Sequence, residues 1–170
     1  MKSFFSGKTV FITGGTGTWG QEFTRQILRT SKPKEIRIYS RNEYQQTLMR
    51  RRFDGNKRLS FIIGDVRDRE RLTGTMRGVD YVIHLAALKH VPVVEEHPSE
   101  AVATNVIGTQ NVIDAAIHNG AKKVLFVSSD KAVDPLNFYG VTKLAGEKLI
   151  IAANDIPGAK TRFVCYRGGN

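Results

Sequence analysis

Four side chains that can exchange protons stand close together in the last third of the sequence: Asp130, Lys131, Tyr139 and Lys143. Tyr139 and Lys143 are four residues apart, so on a helix they project from the same face. A tyrosine has a pKa of roughly 10 and is a poor base at neutral pH, but a cation one turn away favours the phenolate. The pair therefore predicts a proton acceptor for an alcohol undergoing oxidation. Because surface helices also carry this spacing, the prediction depends on a nicotinamide site elsewhere in the chain.

A glycine-rich turn near the N-terminus predicts such a site. Gly15, Gly17 and Gly20 form the pattern Gly-x-Gly-x-x-Gly between a predicted strand and a predicted helix, which is the context that makes this motif informative. Gly15 permits the turn, Gly17 lets the backbone approach a pyrophosphate, and Gly20 allows close packing of helix on strand. The first amides of the helix attract the anion. We predict dinucleotide contacts from Gly14, Gly15, Thr16, Gly17, Thr18, Trp19 and Gly20.

The residues after the second predicted strand bear on the choice of dinucleotide. NAD-binding folds of this class place Asp or Glu there, whereas this chain has Ser40 followed by Arg41. A hydroxyl and a guanidinium suit a 2′-phosphate, so we predict NADP, with Glu43 as the nearby residue that argues for NAD. After the next two strands we predict Asp65 and Val66 at the adenine, and Ala86, Ala87 and Lys89 at the nicotinamide ribose.

The hydrophobic pattern predicts how these segments come together. Six apolar runs rich in β-branched residues indicate strands, and they alternate with helical patterns. This alternation predicts an α/β fold, a doubly wound parallel sheet of the Rossmann type with strand order 3-2-1-4-5-6. The predicted strands are Lys8–Thr13, Glu35–Ser40, Leu59–Gly64, Asp80–Leu85, Lys123–Ser128 and Thr161–Tyr166, and the last two predicted helices are Pro98–His118 and Tyr139–Ala153.

Length and composition limit the class of protein. The 170 residues suit one domain, residues 1–170, and the single cysteine, Cys165, excludes an internal disulfide framework. No apolar run approaches the roughly 18 residues of a membrane span, so we expect a cytoplasmic protein with no membrane partner. The formal charge of +10 raises nucleic acid as a partner. Residues 25–58 supply +8 of that charge; because this excess is local and lies where a cofactor phosphate is predicted, we expect no nucleic-acid partner.

Taken together, the motifs resemble the extended short-chain dehydrogenases/reductases, and within them the inverting UDP-N-acetylglucosamine 4,6-dehydratases. The segments that carry the resemblance are Thr13–Gly20, Gly64–Asp68, Ala86–Pro92 and Ser129–Lys143. The resemblance covers essentially all 170 residues but only the N-terminal half of a family member. It therefore implies that the sugar-nucleotide lobe is missing, with Arg167-Gly168-Gly169-Asn170 at the turn that enters that lobe.

The resemblance implies a reaction in three stages and a role for each residue. Hydride leaves carbon 4 of the sugar for NADP, water is eliminated across carbons 5 and 6, and hydride returns to carbon 6. Tyr139 would be the base at the carbon-4 hydroxyl, with Lys143 lowering its pKa and holding the nicotinamide ribose. Asp130 would protonate the departing carbon-6 hydroxyl, and Lys131 would remove the carbon-5 proton. Ser129 would supply the hydroxyl that the family more usually takes from threonine.

The resemblance also implies partners and second-rank residues. Asn105 matches an asparagine that orients backbone and water near the tyrosine, and Lys89-His90 matches a loop near the substrate. The implied partners are a UDP-sugar, a second copy of the chain in a homo-oligomer and a separate C-terminal half, and the motifs call for no metal. His84 is expected to be a core histidine and Trp19 a packing residue.

The chemistry sets a condition on this mechanism. A lysine base needs its pKa lowered from roughly 10.4, and an aspartic acid donor needs its pKa raised. If Asp130 and Lys131 paired with each other, both would favour their charged forms, whereas desolvation under a closed lobe acts in the opposite direction. We therefore expect this chain alone to bind NADP weakly and to show no dehydratase activity.

Three alternatives remain open from the sequence. A nucleotide-sugar epimerase would need Tyr139 and Lys143 but not Asp130 and Lys131. A non-catalytic module would bind NADP or a partner without turnover. A nucleic-acid binder would use residues 50–58 and would lose affinity steeply with salt.

Overall fold

A parallel six-stranded sheet forms the centre of the protein. The structure is a computed structural model, and it describes residues 4–169. The strand order is β3-β2-β1-β4-β5-β6, which confirms the predicted doubly wound topology. Its strands are β1 (Thr9–Thr13), β2 (Glu35–Ser40), β3 (Leu59–Ile63), β4 (Tyr81–His84), β5 (Lys123–Ser129) and β6 (Arg162–Gly168). All pairings are parallel, so every strand delivers its carboxyl end to the same edge.

Strand β1 lies at the point where the strand order reverses. Its five residues are all buried, because β2 and β4 flank it and helices cover both faces. Val10 pairs with Ile36 on one side and with Tyr81 on the other. In a doubly wound sheet a crevice opens at this reversal, outside the carboxyl ends of the strands, so the topology places a cleft beside the glycine-rich turn.

Seven α-helices connect the strands within the described residues. They are α1 (Thr18–Thr30), α2 (Glu43–Arg52), α3 (Arg69–Thr75), α4 (Val91–Glu96), α5 (Pro98–Ala101), α6 (Gly108–His118) and α7 (Phe138–Ala152). The predicted helix Pro98–His118 is present, but its middle turn, Val102–Ile107, is a π-helix. The short helix α4 was not predicted. Asn170 lies outside the described residues.

The sheet has a separate apolar layer on each face. On one face β1, β2 and β4 pack against α1 and α2 through buried side chains that include Ile27, Ile38 and Met49. On the other face α3, α6 and α7 cover a larger cluster that includes Val112, Phe126 and Ile150. Each fully buried aliphatic or aromatic side chain contributes about 1.5–3 kcal/mol, so both layers hold the strands at fixed positions beneath the cleft. No helix in residues 4–169 is long and apolar enough to cross a membrane.

Candidate active site

A cleft of about 410 Å³ opens at the carboxyl edge of the sheet, beside β1 and β4. Most of the predicted site residues line it: Gly14, Thr16, Gly17, Thr18, Trp19, Gly20, Ser40, Arg41, Asp65, Val66, Ala86, Ala87, Lys89, Ser129, Asp130, Tyr139 and Lys143. Gly15, Asn105 and Lys131 are not part of this lining. The cleft also has walls that were not predicted, from Tyr39, Asn42, Gly64, Leu85, Thr104, Val127, Ser128, Gly168 and Gly169.

The glycine-rich turn connects β1 to α1 and forms one wall of the cleft. Its left-handed residue is Gly14, with φ +64°, where a β-carbon would lie 2.8 Å from the Ala86 amide nitrogen. The left-handed conformation of the turn is therefore supplied by Gly14 and not by Gly15. Gly15 instead packs against Ile38, where a β-carbon would come within 2.9 Å. At Gly20 a β-carbon would overlap the carbonyl oxygen of Gly15, so the predicted close packing of α1 is confirmed.

The N-terminus of α1 is built to receive an anion. Gly17 is its N-cap and provides no side-chain cap, and no acidic residue stands in the first turn. The first amides of an α-helix have no partner within the helix, and they carry the positive end of its dipole. Thr18 and Trp19, the first two residues of α1, line the cleft, so this end of the cleft could hold a pyrophosphate.

A charged network lies at the far end of the cleft, after β2 and β3. Asp65 forms an ion pair with Arg67 at 2.6 Å and a longer one with Arg41 at 4.0 Å. Burial works against ionisation of Asp65, but the hydrogen bonds from Arg67 outweigh it and lower the pKa of the carboxyl. The Arg41 side chain is 55% exposed. Because its ion pair with Asp65 is long and its side chain is exposed, the guanidinium of Arg41 is available to bind an anion.

Ser40 is less available than Arg41. The Gln46 side chain donates from Nε2 to Ser40 Oγ and to Ser40 O, both at 3.0 Å. The same amide reaches Ile62 O at 2.8 Å. Ser40 lines the cleft, but its oxygen is oriented by α2 through Gln46. The sequence gives no sign of this contact, because its geometry depends on how α2 packs against the ends of β2 and β3.

Asn105 lies behind the cleft and holds the loop that follows β4. Its Oδ1 accepts from Leu88 N at 2.8 Å, and its Nδ2 donates to Leu88 O at 2.9 Å. The same Nδ2 reaches Thr142 Oγ1 on α7 at 3.0 Å. Asn105 is 1% exposed, so in this structure it orients backbone, as the resemblance implied, and does not contact the cleft directly.

The π-helical turn that carries Asn105 also places a polar side chain, that of Thr104, at the cleft. Thr104 is buried and lines the cleft, and its hydroxyl makes no hydrogen bond to any described residue. A buried hydroxyl without a partner costs free energy, and π-helical turns occur frequently at functional sites. The donor and acceptor capacity of Thr104 therefore fits a polar ligand in the cleft.

Lys143 is buried beneath the Tyr139 end of the cleft. Its Nζ donates to Val127 O at 2.8 Å and lies 4.1 Å from the centroid of the Phe126 ring. Desolvation lowers the pKa of Lys143 to about 8. Burial raises the pKa of Tyr139, with Ser129 and Lys131 acting in the opposite direction. The expected lowering of the tyrosine pKa by Lys143 is thus not found, because the ammonium is turned to a carbonyl and the phenol is desolvated.

The predicted acid and base form an ion pair at the mouth of the cleft. Lys131 Nζ lies 3.3 Å from Asp130 Oδ1, and the Ser129 hydroxyl donates to the same oxygen at 2.8 Å. The hydrogen bond from Ser129 and then that from Lys131 lower the pKa of Asp130. Both side chains are open to solvent, at 51% and 36% exposure. The expectation that pairing favours the charged forms is confirmed for the aspartate.

His84 is a core residue, as predicted. Its Nδ1 lies 2.6 Å from Thr13 Oγ1 and its Nε2 lies 3.0 Å from Thr109 Oγ1. Burial, with a smaller effect from Lys143, lowers the pKa of His84 to about 3, so the imidazole is neutral. Among residues 4–169 no group of three or more His, Cys, Asp or Glu side chains is placed to hold a metal ion.

Two curated relatives of this chain are named for reactions of nucleotide sugars. The chain is 53% identical over 98% of its length to the UDP-N-acetylglucosamine 4,6-dehydratase (inverting) of Campylobacter jejuni, of which it covers 50%. It is 48% identical over 98% of its length to the UDP-glucose 4-epimerase of Rickettsia prowazekii, again covering 50%. The chain thus spans about half the length of the curated relatives it matches.

Solved structures with similar folds agree with this result. Pen from Bacillus thuringiensis matches 99% of this chain with a TM-score of 0.96 and 46% identity, over 54% of its own length. DesIV, a dTDP-glucose 4,6-dehydratase from Streptomyces venezuelae solved with NAD and TYD bound, matches 94% with a TM-score of 0.83 and 27% identity, over 55% of its length. The family model described as polysaccharide biosynthesis protein matches residues 10–170, and the chain therefore belongs to that family.

Proposed function

We propose that residues 1–170 are the NADP-binding domain of a UDP-N-acetylglucosamine 4,6-dehydratase that serves the synthesis of surface polysaccharides or glycans. The observation that carries the proposal is one cleft that joins the glycine-rich turn to Tyr139, Lys143 and Asp130. Residues far apart in sequence meet there because parallel strands end at one edge of the sheet. The dehydratase of Campylobacter jejuni, at 53% identity, supports the assignment of the reaction.

The residues present fit a nicotinamide dinucleotide. The turn at Gly14 and the uncapped first turn of α1 suit a pyrophosphate, and the unpaired hydroxyl of Thr104 offers a donor and an acceptor deeper in the cleft. A bound nicotinamide would supply the hydride chemistry of the reaction. The NAD in the DesIV structure supports this class of cofactor.

Within that class, the residues after β2 favour NADP. No carboxylate stands at Ser40 or Arg41 to bind a ribose 2′-hydroxyl, and the guanidinium of Arg41 is 55% exposed beside the cleft. A planar guanidinium binds a phosphate through paired, charge-assisted hydrogen bonds. Asp65, 4.0 Å from Arg41, would hold that guanidinium near the opening.

Each residue of the Tyr139 end has a role that its chemistry allows. Tyr139 would accept the proton of the carbon-4 hydroxyl once the buried ammonium of Lys143 is turned toward it. Asp130 would protonate the departing carbon-6 hydroxyl, and Lys131 would take the carbon-5 proton. The Asp130–Lys131 pair already holds the single proton that these two roles require. Transfer across the 3.3 Å between them converts the ion pair into the neutral acid and neutral base.

The sequence supplies a direct reporter of dinucleotide binding. Trp19 is the only tryptophan and it lines the cleft, so titration with NADPH and with NADH should quench its fluorescence, and calorimetry would confirm the affinities. We expect saturable binding with NADPH the tighter ligand. No quenching and no heat with either coenzyme, in a chain shown to be folded by circular dichroism, would overturn the proposal.

Gly17→Ala gives that titration a matched control. A β-carbon at Gly17 would meet Gly14 O at 3.4 Å, an ordinary contact, so folding should be preserved. The added methyl group would stand where the backbone must approach the pyrophosphate, and we expect affinity to fall about tenfold or more, the equivalent of 1.4 kcal/mol. Unchanged affinity would place the dinucleotide elsewhere.

A nucleotide-sugar epimerase is the second candidate, because the 48% identical relative from Rickettsia prowazekii bears that name. An epimerase requires Tyr139 and Lys143 but not the acid and base pair. In a longer protein that contains this chain, Asp130→Asn should abolish 4,6-dehydration. If the longer protein that carries Asp130→Asn retains its activity on a UDP-sugar, the epimerase assignment is favoured.

The proposal also includes the protein's association with other chains and its location in the cell. The substrate lobe would come from a C-terminal half, and the protein would be a cytoplasmic homo-oligomer. Light scattering on the purified chain, alone and co-expressed with the C-terminal half of the Campylobacter jejuni dehydratase, measures both associations. A monomer in both preparations would contradict them.

A further inference from the structure

Helix α7 carries a third functional side chain beyond the two that the sequence singled out. Tyr139, Lys143 and Glu147 stand on successive turns and project from one face of the helix. Lys143 and Glu147 are each 3% exposed. A carboxylate is almost never buried to this extent unless it is paired, so the partners of Glu147 indicate what it does.

Glu147 is held by an arginine from the end of β6. Arg167 donates from Nε to Oε1 at 2.9 Å and from Nη2 to Oε2 at 2.6 Å, a two-pronged geometry that is among the strongest charge-assisted contacts. Burial works against ionisation of Glu147, but the hydrogen bonds from Arg167 outweigh it and lower the pKa of the carboxyl. Glu147 is therefore an anion at neutral pH.

The groups that surround Lys143 on β4 and β5 carry no charge, so the anion of Glu147 bears on its protonation. From β5, Lys143 meets the carbonyl of Val127 and the ring of Phe126. From β4, His84 faces it as a neutral imidazole, because burial lowers the histidine pKa to about 3. These groups solvate an ammonium only in part, and desolvation lowers the pKa of Lys143.

Two further titratable groups near Lys143 are also neutral at pH 7. Burial raises the pKa of Cys165, on β6, to about 11, and burial raises the pKa of Tyr139, one turn away on α7. Both keep their protons. Arg167 is positive but is engaged with Glu147. Two groups raise the pKa of Lys143 against desolvation, Cys165 first and Glu147 second. Because the Cys165 thiol is neutral at pH 7, the negative charge that favours the ammonium there is that of Glu147.

We propose that Glu147 is a positioning residue of the site, whose carboxylate, fixed by Arg167, keeps the buried Lys143 protonated and hydrogen-bonded at the floor of the cleft. The effect of Glu147 on dinucleotide binding rests on the proposed function, in which the ammonium of Lys143 holds the nicotinamide ribose and favours the phenolate of Tyr139. The state of the lysine itself does not depend on that function. Two separate readouts can therefore be used.

The first readout is the titration of Lys143, followed by NMR of lysine side-chain nitrogens in the labelled 170-residue chain and assigned with Lys143→Arg. In the wild type Lys143 should lose its proton near pH 8, the value to which burial lowers its pKa. In Glu147→Gln the midpoint should fall by about one pH unit, the effect of losing a nearby opposite charge. An unchanged midpoint overturns the proposal.

Glu22→Gln is the matched control for that substitution. Glu22 is also gripped by an arginine through two contacts, with Arg25 Nε and Nη2 at 2.8 and 2.6 Å, but on the exposed face of α1. Its replacement should leave the midpoint of Lys143 unchanged. If Glu147→Gln fails to fold, Arg167→Gln replaces it. Without Arg167, burial raises the pKa of Glu147 and favours its neutral form, so the midpoint of Lys143 should fall as it does in Glu147→Gln, and an unchanged or higher midpoint would overturn the proposal.

The second readout is NADPH binding followed through Trp19 between pH 6 and pH 9. In the wild type, affinity should weaken as Lys143 loses its proton, and in Glu147→Gln that loss should begin at lower pH by the same shift. A merely structural ion pair would lower the thermal midpoint and weaken binding equally at every pH, which would overturn the proposal. If the wild type binds no dinucleotide at all, the proposed function fails, and the lysine titration still decides this inference.

Discussion

Gly140 in the first turn of α7 lies directly against the carbonyl oxygen of Lys131, closer than any side chain would permit. The contact joins the helix that carries Tyr139 to the 3₁₀ turn that carries Asp130 and Lys131. Asn137 caps the same helix end by accepting from Gly140 N at 2.8 Å. The relative position of the proton acceptor and of the acid and base pair is thus set by backbone packing.

Gly140→Ala should destabilise the protein and separate these two segments. The new β-carbon would overlap the Lys131 carbonyl, and relief requires backbone movement, which costs about 1–3 kcal/mol in a packed interior. Urea unfolding followed by circular dichroism measures the loss. Gly74→Ala is the control, because Gly74 stands in α3 with nothing near its β-position and should gain about 0.5–1 kcal/mol. Equal stability of the two variants would contradict the packing argument.

Most of the fold follows from the sequence because parallel strands buried on both faces are continuous apolar runs. That pattern predicts all six strands and, with the rule of right-handed crossovers, their order. The glycine motif likewise predicts the phosphate side of the cleft. What the pattern does not predict is α4, whose six residues carry too short a periodicity and whose Glu95 makes its contact, with Phe138 N at 2.7 Å, across a long sequence separation.

The finer geometry of the site depends on contacts that no local pattern encodes. The left-handed turn falls on Gly14 and not on Gly15 because Gly14 must pass close to Ala86 in the loop after β4. The ammonium of Lys143 turns to Val127 because burial leaves it few other acceptors. Spacing on a helix predicts that two side chains share a face, but the direction of each depends on what is packed against that face.

The buried His84 should make stability fall as the solution becomes acidic. Its pKa is about 3 in the folded protein and roughly 6.5 when unfolded, so between these values the unfolded state binds a proton that the folded state does not. Stability is full above pH 6.5 and is lost as pH falls, by up to about 4–5 kcal/mol near pH 3. The slope of unfolding free energy between pH 6.5 and 4.5 should be smaller in His84→Gln. His90→Gln, at an exposed position, should retain the wild-type slope, and equal slopes in all three proteins would contradict this account.

Arg41 should determine the preference between NADP and NAD. Arg41→Ala removes the exposed guanidinium beside the cleft, and the loss of charge-assisted hydrogen bonds, about 1.5–3 kcal/mol, should weaken NADPH binding tenfold to a hundredfold. Binding of NADH should change little, since it lacks the 2′-phosphate. Trp19 fluorescence gives both affinities. Arg51→Ala, at an exposed position on α2, is the matched control and should affect neither. An equal loss of affinity for NADPH and for NADH in Arg41→Ala would show that the guanidinium does not bind the 2′-phosphate.

The isolated 170-residue chain should not turn over UDP-N-acetylglucosamine. Elimination needs a neutral Asp130 and a neutral Lys131, but both side chains are open to water and hydrogen bonds from Ser129 and Lys131 lower the pKa of the aspartate. A covering lobe would remove water, and desolvation favours the neutral form of each group. Proton NMR of the sugar, with NADP present, should therefore show no new carbon-6 methyl signal from the chain alone. The signal should appear when the C-terminal half of the Campylobacter jejuni dehydratase is co-expressed, and should disappear again with Asp130→Asn. Turnover by the purified chain without any second polypeptide would refute the requirement for desolvation.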